Sequence, residues 1–390
     1  MLKLNHLEAK ITEHCNYRCV GCNSFSNIAK EEFYPLDQFC KDLQRVSQLI
    51  DVIKEFLILG GEPLLNSNIC GYLDAARRYL PNTEIFLYTN GVLLPTMDER
   101  FYQCVAENRI YVHISQYPEN KNIECIRKAK ELLENHEIKH RMVPAPVFNI
   151  SMQLENNPYD RQFTFDVCRH TIDCTNIYNG RIYTCPRPIS LRHYDRRFGT
   201  AYANMDDCIE LHDPETDGSA IISYLSTPMD TCRLCTPQRG YMMWQQATAE
   251  KEDWQVIPEN KRLISSDNFV QNMEKLLSGM QTYYFDTDSN NAINTICLTT
   301  IHELNNKPVY IWVQDIRCIW LFDLLYQFAP IYGIEIKGIL TSNTRVAGAL
   351  NYMELIEFGM LQASCYVLIL SSKEKGAMNK ALFAVKRNLS

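Results

Sequence analysis

The chain has 390 residues, which is enough for two or three domains. Its 46% of hydrophobic and 22% of charged residues are ordinary for a soluble globular protein, and its net charge of −7 gives no electrostatic reason to bind nucleic acid or an anionic membrane. No apolar run approaches the ~20 residues that cross a bilayer, and the first residues lack the apolar segment of a secretory signal, so we expect a cytoplasmic protein.

Residues 7–145 alternate strand-like and helix-like segments. Phe39, Leu43 and Val46 recur at the spacing of a helix, whereas residues 55–59 form a short apolar run that ends at a glycine pair. Such alternation implies parallel strands joined by right-handed helical crossovers. The predicted strands cover residues 7–12, 55–59, 84–89, 110–115 and 140–143, and the predicted helices cover residues 36–50, 69–79, 97–107 and 123–134.

A sixth strand, around residues 148–154, has a weaker signal than the other five. Six strands are too few for a closed eight-stranded barrel of alternating strands and helices. The expected fold of residues 1–154 is therefore α/β, with an open, partial (β/α)6 barrel.

The pattern breaks down over residues 155–250. Pro, Asp, Gly and Cys punctuate this segment and no long periodic helix is visible, so we expect something other than an apolar core to hold it, and a metal cluster would serve. A hairpin is expected to turn at Gly180, because strand-like residues flank that glycine on both sides. Residues 251–285 have a mixed composition that is typical of a connector.

From residue 286 the β-α rhythm returns, which predicts a small Rossmann-like α/β domain over residues 286–390. The turn after its first strand lacks the glycines of a dinucleotide site, so we expect contacts with a partner or a cover over the active site instead of NAD binding. The predicted strands cover residues 309–313, 334–340 and 366–370, and the predicted helices cover residues 292–304, 316–328, 352–358 and 375–386.

The chain contains 16 cysteines, which fall into two groups and several scattered positions. Because no secretory signal is visible, we expect metal ligands or buried thiols instead of disulfides. Cys15, Cys19 and Cys22 follow the first predicted strand directly. Three thiolates on such a loop can hold a [4Fe–4S] cluster that usually takes four Cys, and one iron then stays open for a small chelating molecule. A zinc site or three unrelated thiols are the alternatives.

The stretch CNYRCVGC over residues 15–22 resembles the signature of the radical S-adenosylmethionine (radical SAM) family. The resemblance implies that S-adenosylmethionine chelates the open iron through its amine and carboxylate. One electron, delivered from a flavodoxin- or ferredoxin-type reductant, then yields a 5′-deoxyadenosyl radical that removes hydrogen from the substrate. The family often has an aromatic residue before the third Cys, where this chain has Gly21, so we expect Tyr17 or Phe25 to pack against the adenine.

The second predicted strand runs directly into Gly60-Gly61-Glu62. Glycines allow close approach of a ligand to the backbone, and a carboxylate can pair with an ammonium group. The stretch resembles the family's motif for the methionine amino group, with an ordinary turn and a solvated Glu62 as the alternative. Asn90 and Ser115 end the third and fourth strands, where polar side chains of the family bind ribose hydroxyls; an Asn-Gly turn and a strand-end cap are equally good interpretations.

The second group consists of Cys168-x16-Cys185 and Cys232-x2-Cys235. It resembles the twitch domain of some radical SAM enzymes, which holds one auxiliary [4Fe–4S] cluster, and also the first half of the SPASM domain. SPASM domains continue with further cysteines, and residues 236–241 contain none, so we expect one auxiliary cluster on these four residues. Ligand sets that include Cys174, a zinc site and buried thiols remain alternatives.

An auxiliary cluster favours an oxidative reaction. Removal of hydrogen from a carbinol carbon leaves a radical that must lose a proton and an electron, and a cluster with four protein ligands can accept the electron. An aminocyclitol dehydrogenase among the twitch-bearing relatives has a similar Cys arrangement. We therefore favour oxidation or epimerisation at a carbon of a sugar or related polyol. A peptide-modifying maturase of SPASM type is the second hypothesis, and an electron carrier or metal-stabilised binding module is the third.

Three polar residues after the expected hairpin, Arg187, Arg192 and His193, lie where a substrate could contact them. A solvated face is the favoured interpretation for each, because charged residues usually face water. For an epimerase, a thiol such as Cys174 or Cys208 could donate the returning hydrogen atom.

Overall fold

The computed structural model describes residues 2–256, apart from residues 118, 119, 146, 169 and 248, together with four strands between residues 308 and 386. The chain divides into two compact units. One contains most of residues 1–264, and the other contains residues 166–169, 237–239 and the rest of the chain from residue 265. The two units are described separately below.

The first unit begins with the alternating strands and helices that the sequence predicts. Strands β1 to β5 pair in parallel in the order β5-β4-β3-β2-β1, as in a partial barrel of the expected kind. The elements are β1 (Lys3–Thr12), α1 (Leu36–Leu49), β2 (Val52–Gly60), α2 (Ile69–Tyr79), β3 (Glu84–Thr89), α3 (Glu99–Glu107), β4 (Tyr111–Gln116), α4 (Asn120–Asn135), β5 (His140–Pro144) and β6 (Val147–Met152).

The two faces of β1 differ in chemistry. Leu7, Ala9 and Ile11 are fully buried in the main apolar core, which the helices share with the sheet. The alternate residues Lys10 and Thr12 are fully buried as well, although both are polar. Because successive side chains of a strand point to opposite faces, the sheet has one face packed by helices and one buried face that carries charge.

Residues 155–250 extend the same sheet. Strand β7 pairs in parallel with β1, and β8 and β9 continue the sheet in antiparallel fashion. The hairpin between β7 and β8 is confirmed, with Asn179 and Gly180 both at positive φ (46° and 80°), as the tight turn requires. The elements are α5 (Arg161–Val167), α6 (His170–Asp173), β7 (Asn176–Tyr178), β8 (Arg181–Tyr183), α7 (Arg187–Phe198), β9 (Ile209–Glu210), α8 (Gly218–Leu225) and β10 (Cys235–Met243).

The sixth strand of the predicted partial (β/α)6 barrel does not join the parallel sheet. Strand β6 instead pairs antiparallel with β10 in a separate two-stranded sheet. Only two residues separate β5 from β6, whereas a parallel crossover needs roughly a dozen residues or more. The placement of β6 in the barrel was therefore wrong, although a strand exists there.

Helix α7 corrects the expectation that residues 155–250 contain no long helix, because it runs for 12 residues. Its buried residues include Arg187, Ser190 and His193 alongside Ile189 and Leu191. A search for apolar periodicity cannot find a helix whose buried side is partly polar.

The second unit contains a four-stranded sheet of order β12-β11-β13-β14, in which β14 alone runs antiparallel. The predicted strands are confirmed. The helix predicted over residues 375–386 is wrong at its end, since Phe383–Lys386 is a strand that pairs antiparallel with β13. The other predicted helices and most of the connector lie outside the described residues, and the domain boundaries stay a prediction. The strands are β11 (Pro308–Val313), β12 (Glu335–Leu340), β13 (Tyr366–Leu370) and β14 (Phe383–Lys386).

Across the parts of the chain that the structure describes, no helix is long and apolar enough to cross a membrane.

The ends of β1 and β2 touch through the glycine pair. The Gly61 N–H donates to the Thr12 carbonyl at 2.7 Å, and a Cβ atom on Gly61 would lie 2.0 Å from the His14 carbonyl oxygen. A Cβ atom on Gly60 would lie 2.1 Å from the Thr12 carbonyl oxygen. The glycines therefore make room for the neighbouring backbone just before the cysteine loop.

We predict that Gly61→Ala lowers the free energy of unfolding by more than about 3 kcal/mol, because the backbone must move apart to admit the methyl group. Gly218→Ala is the control, since a Cβ atom there would meet only ordinary contacts of 3.5 and 3.6 Å. Urea unfolding of the cluster-free protein, followed by circular dichroism, measures both changes. Equal stability of the two variants would contradict the steric explanation.

Candidate active site

The three cysteines of the first group share one neighbourhood at the carboxyl end of β1. Desolvation raises the pKa of Tyr117 well above its usual value, and Cys19, Cys22 and Cys15 each raise it further by their charge, as does Glu62. Electrostatic effects of this kind act over short distances. Asn90 links the two motifs directly, since its backbone N–H donates to the Glu62 carboxylate at 2.9 Å and its side-chain amide lies 3.8 Å from the Cys15 sulfur. The roles of the three thiols as cluster ligands stay predictions.

Cys15 is half-buried and accepts hydrogen bonds from neighbouring N–H groups. The Tyr17 N–H lies 3.4 Å from its sulfur, and the Asn90 side-chain amide lies 3.8 Å away. Desolvation, followed by the nearby Glu62 carboxylate, raises the pKa of Cys15 far above its usual value. Cys15 is thus a neutral thiol in the metal-free protein, and an iron ligand must lose that proton on binding.

Cys19 is covered by a segment from far along the chain. The Trp244 indole N–H donates to the Cys19 sulfur at 3.1 Å. The backbone of residues 244–247 also pairs with the loop, since the Val20 N–H donates to the Gln245 carbonyl at 3.0 Å and the Ala247 N–H donates to the Arg18 carbonyl at 2.6 Å. We call residues 244–247 the covering segment, which nothing in the sequence assigned to the site.

Gly21 explains why this chain lacks an aromatic residue before Cys22. Its φ is +63°, and a Cβ atom there would lie 3.1 Å from the side chain of Ile150, so a bulky residue would be strained and crowded. Phe25 is fully buried in contact with Trp254, so the expectation that Phe25 packs against adenine is wrong. Tyr17 remains available, in edge contact with Tyr117 and Trp244.

Glu62 is fully buried, and its carboxylate is held by three donors of the protein. It accepts hydrogen bonds from the Leu64 N–H at 3.1 Å, the Thr89 hydroxyl at 2.7 Å and the Asn90 N–H at 2.9 Å. Burial raises its pKa to about 7, although these three hydrogen bonds lower it. Glu62 therefore ties the ends of β2 and β3 together beside the cysteines, and the solvated-turn interpretation is wrong. Its role toward an amino group stays a prediction.

Asn90 and Ser115 lie at the same edge of the sheet. Asn90 is buried; its side-chain amide donates to the side-chain oxygen of Asn16 in the cysteine loop at 2.7 Å, and its own side-chain oxygen accepts from the Val92 N–H at 3.1 Å. Asn90 thus both forms a turn and contacts the loop. Ser115 is half-buried near the end of β4, opposite Val143 of β5. Their roles toward a ribose stay predictions.

The second cysteine group is placed only in part. Cys232 is buried in a short 3₁₀ helix, Asp230–Leu234, and Cys235 starts β10 opposite Met152. Cys185 follows the hairpin, whereas Cys168 belongs to the other compact unit.

Among the described residues, no three His, Cys, Asp or Glu side chains converge to hold one metal ion. In an iron–sulfur cluster each thiolate binds a different iron, so its ligands need not converge on one metal ion. The absence of a single-ion site therefore does not test the predicted cluster. The four-cysteine ligand set and the alternative sets with Cys174 stay predictions.

A buried ion cluster lies immediately before Cys15. The Glu13 carboxylate is fully buried and contacts His193 at 2.8 Å, Arg192 at 3.0 Å and Lys10 at 3.8 Å, while the Lys10 ammonium donates to the Ser190 hydroxyl at 2.7 Å. Burial raises the pKa of Glu13, but Lys10, the His193 hydrogen bond and Arg192 outweigh it and hold the pKa at about 2. The ion cluster fastens α7 to the end of β1.

The ion cluster overturns the interpretation of α7 as a solvated face. His193 and Arg187 are buried, and Arg192 is mostly buried. The available signal was the polar residue Lys10 at an alternate position of β1, which required a buried counter-charge.

Comparison with known proteins relates one part of the chain to a family. Residues 9–154 match the model of the radical SAM superfamily. The GTP 3′,8-cyclase of Aliarcobacter butzleri is 30% identical over 135 residues, which is 34% of this chain and 40% of that protein. The enzyme of the same name from Helicobacter pylori is 32% identical over 100 residues, which is 24% of this chain and 30% of that protein. The chain thus spans less than half the length of these relatives.

Solved structures with some likeness include two complexes with AdoMet. BtrN in complex with AdoMet and 2-DOIA has a TM-score of 0.38 and 16% identity over 60% of this chain and 85% of that chain. Native anSMEcpe with bound AdoMet and Cp18Cys peptide has a TM-score of 0.31 and 18% identity over 37% of this chain and 44% of that chain. At these TM-scores neither likeness supports an argument about this chain.

We predict that Glu62 makes stability depend on pH near neutrality. Burial raises the pKa of Glu62 from 4.5 to about 7 in the folded protein, so the folded state binds a proton at Glu62 more tightly than the unfolded state does. The resulting stabilisation is fully present below pH 4.5 and is lost as pH rises through 7. The unfolding free energy of the wild type, relative to Glu62→Gln, should fall by on the order of 2 kcal/mol from pH 5 to pH 8. Denaturant titrations of the cluster-free protein at both pH values measure this difference.

The exposed Glu107 provides the control, since the free energy of unfolding of Glu107→Gln should change with pH as that of the wild type does. A difference between wild type and Glu62→Gln that stays constant across this range would show that the carboxyl group titrates normally.

Proposed function

Because residues 9–154 belong to the radical SAM superfamily, we propose that the chain cleaves S-adenosylmethionine reductively and uses the resulting radical to remove hydrogen from a substrate. The observation that supports this most is the contact between the two motifs through Asn90, whose backbone N–H donates to Glu62 and whose side-chain amide lies 3.8 Å from the Cys15 sulfur. An external reductant of flavodoxin or ferredoxin type would deliver the electron.

The cysteine loop fits a [4Fe–4S] cluster. N–H groups of Trp244, Tyr17 and Asn90 are directed at the sulfurs of Cys19 and Cys15, and such donors stabilise anionic thiolates. Bound there, the cluster would supply the electron for cleavage and an open iron for the amine and carboxylate of S-adenosylmethionine. These donors would partly offset the burial and the Glu62 charge that disfavour the thiolate of Cys15 in the metal-free protein.

The chain's own residues would hold this site and limit access of water. The covering segment lies on the loop and donates the Trp244 N–H to Cys19. Tyr17, Tyr117 and Trp244 contact one another through their rings and offer flat apolar surfaces for adenine. Glu62 and Asn90 join the ends of β2 and β3 to the loop.

We predict that replacing Cys15, Cys19 and Cys22 by Ala abolishes formation of 5′-deoxyadenosine, because no cluster can then bind at the loop. The measurement is chromatography of anaerobically reconstituted protein after addition of S-adenosylmethionine and dithionite. Cys40→Ala is the control, since Cys40 lies in α1 and packs against the apolar core. Undiminished 5′-deoxyadenosine from the triple variant would exclude the loop as the site of cleavage.

An auxiliary cluster on Cys168, Cys185, Cys232 and Cys235 is part of the proposal. The Asn157 side-chain amide supports the turn between the last two by donating to the carbonyls of residues 233 and 235, at 2.9 and 2.7 Å. With both clusters loaded, the wild type should carry about eight irons per chain. Cys232→Ala with Cys235→Ala should lower that count to about four, and an unchanged count would remove this part of the proposal.

For the substrate we propose a sugar or related polyol, oxidised or epimerised at one carbon. This choice rests on the proposed auxiliary cluster, which could accept the electron that such an oxidation releases. The relatives named GTP 3′,8-cyclase instead make a nucleotide a further candidate. A peptide substrate is the competing candidate.

We predict that deuterium at a carbinol carbon of the substrate is transferred to 5′-deoxyadenosine. Deuterated sugars, sugar phosphates and nucleotides are incubated with the reconstituted protein, and mass spectrometry scores the product for one added mass unit. Deuterated peptides run in parallel as the comparison. Transfer from peptides alone would refute the sugar proposal and establish a maturase.

A further inference from the structure

Arg187, the first residue of α7, is buried with only neutral neighbours. The residue is 8% exposed. Its guanidinium donates to the Ser151 hydroxyl at 3.2 Å, the Asn23 side-chain oxygen at 3.5 Å and the Met152 sulfur at 3.6 Å, and it lies 5.9 Å from the centre of the Phe25 ring. These contacts are long for hydrogen bonds of a charged donor.

Within the described part of the chain, no carboxylate lies at ion-pair distance from this guanidinium. Arg192, five positions along the same helix, shows the contrast, because it pairs with both Glu13 and Glu32. A buried charge without a counter-charge is costly for folding. The charge at Arg187 therefore lacks the partner that its burial requires.

The guanidinium lies beside the candidate active site. Asn23 follows Cys22 directly, Arg187 follows Cys185 by two positions, and Met152 faces Cys235 across β6 and β10. The amino end of α7 is also here, and the first N–H groups of a helix attract negative charge.

The loop that contacts Arg187 has additional unused hydrogen-bonding capacity. Ser26 and Asn27 carry buried side-chain polar atoms with no hydrogen-bond partner in the protein. Buried polar groups in native proteins are nearly always satisfied. Unused hydrogen-bond capacity thus lies within four residues of Asn23, the loop residue that Arg187 contacts.

We propose that Arg187 binds an anionic group of the substrate, a carboxylate or a phosphate. This inference rests on the proposed function and narrows it to substrates that carry such a group. The bound anion supplies the counter-charge that the protein does not, and it places the rest of the substrate next to the cysteine loop.

Thermal unfolding of the anaerobically reconstituted full chain tests the proposal, with inorganic phosphate and acetate as probes and sodium chloride at matched ionic strength as the reference. The Tm of the wild type should rise with one or both probes and reach saturation. In Arg187→Met the apparent affinity for that probe should fall at least tenfold. Arg197→Met, an exposed position of the same helix, makes the same charge change and should respond as the wild type does.

The stability of Arg187→Met without probes shows whether the Arg187 guanidinium is needed for folding or only for binding an anion. Arg187→Met should be at least as stable as the wild type without probes, because it removes a buried charge that has no counter-charge. A large loss of stability in Arg187→Met would overturn the proposal by showing that the guanidinium holds the fold together. Absence of any saturable response of the wild type to either probe would also overturn it.

S-adenosylmethionine also carries a carboxylate, in its methionine part. Equilibrium binding of S-adenosylmethionine tests whether Arg187 binds that carboxylate instead of one on the substrate. The proposal expects wild type and Arg187→Met to bind S-adenosylmethionine with equal affinity. A tenfold weaker binding by Arg187→Met would assign the guanidinium to the methionine carboxylate and overturn the substrate assignment. Failure of the wild type to form 5′-deoxyadenosine would instead refute the proposed function.

Discussion

One buried carboxylate, that of Glu13, determines how the site is held. It lies between the last residues of β1 and the cysteine loop, out of contact with water, and three basic side chains surround it. A carboxylate in such a place is stable only because Lys10, Arg192 and His193 offset the loss of hydration. Two of the three come from α7, so contacts with that helix hold the end of β1 directly before the cysteine loop.

The elements before residue 145 could be predicted from the sequence because their burial follows apolar periodicity. The core-facing residues of β1 and α1 are apolar at the regular spacing of a strand and a helix. Helix α7 could not be found in this way, because Arg187, Ser190 and His193 face its buried side. The pairing of β6 with β10 joins segments about 90 residues apart, and no local pattern encodes such a contact.

The cysteine loop and the glycine pair could be located from their spacing, but their neighbours could not. Glu62 and Asn90 each contact the protein's own groups as well as the site, which only coordinates show. Gly21 was visible as a departure from the family pattern, and its positive φ and the adjacent Ile150 give the reason. The contact of Trp244 with Cys19 spans 225 positions and left no signal in the sequence.

That long separation bears on how the protein matures in the cell. A ribosome completes the cysteine loop more than 200 residues before it reaches the covering segment. During this interval the nascent loop has no indole over Cys19, and its thiols are open to oxidants and to adventitious metals. For the cluster proposed at this loop, delivery of iron and sulfide would therefore be best timed after residues 244–247 have been synthesised, when the covering segment can close over the filled loop.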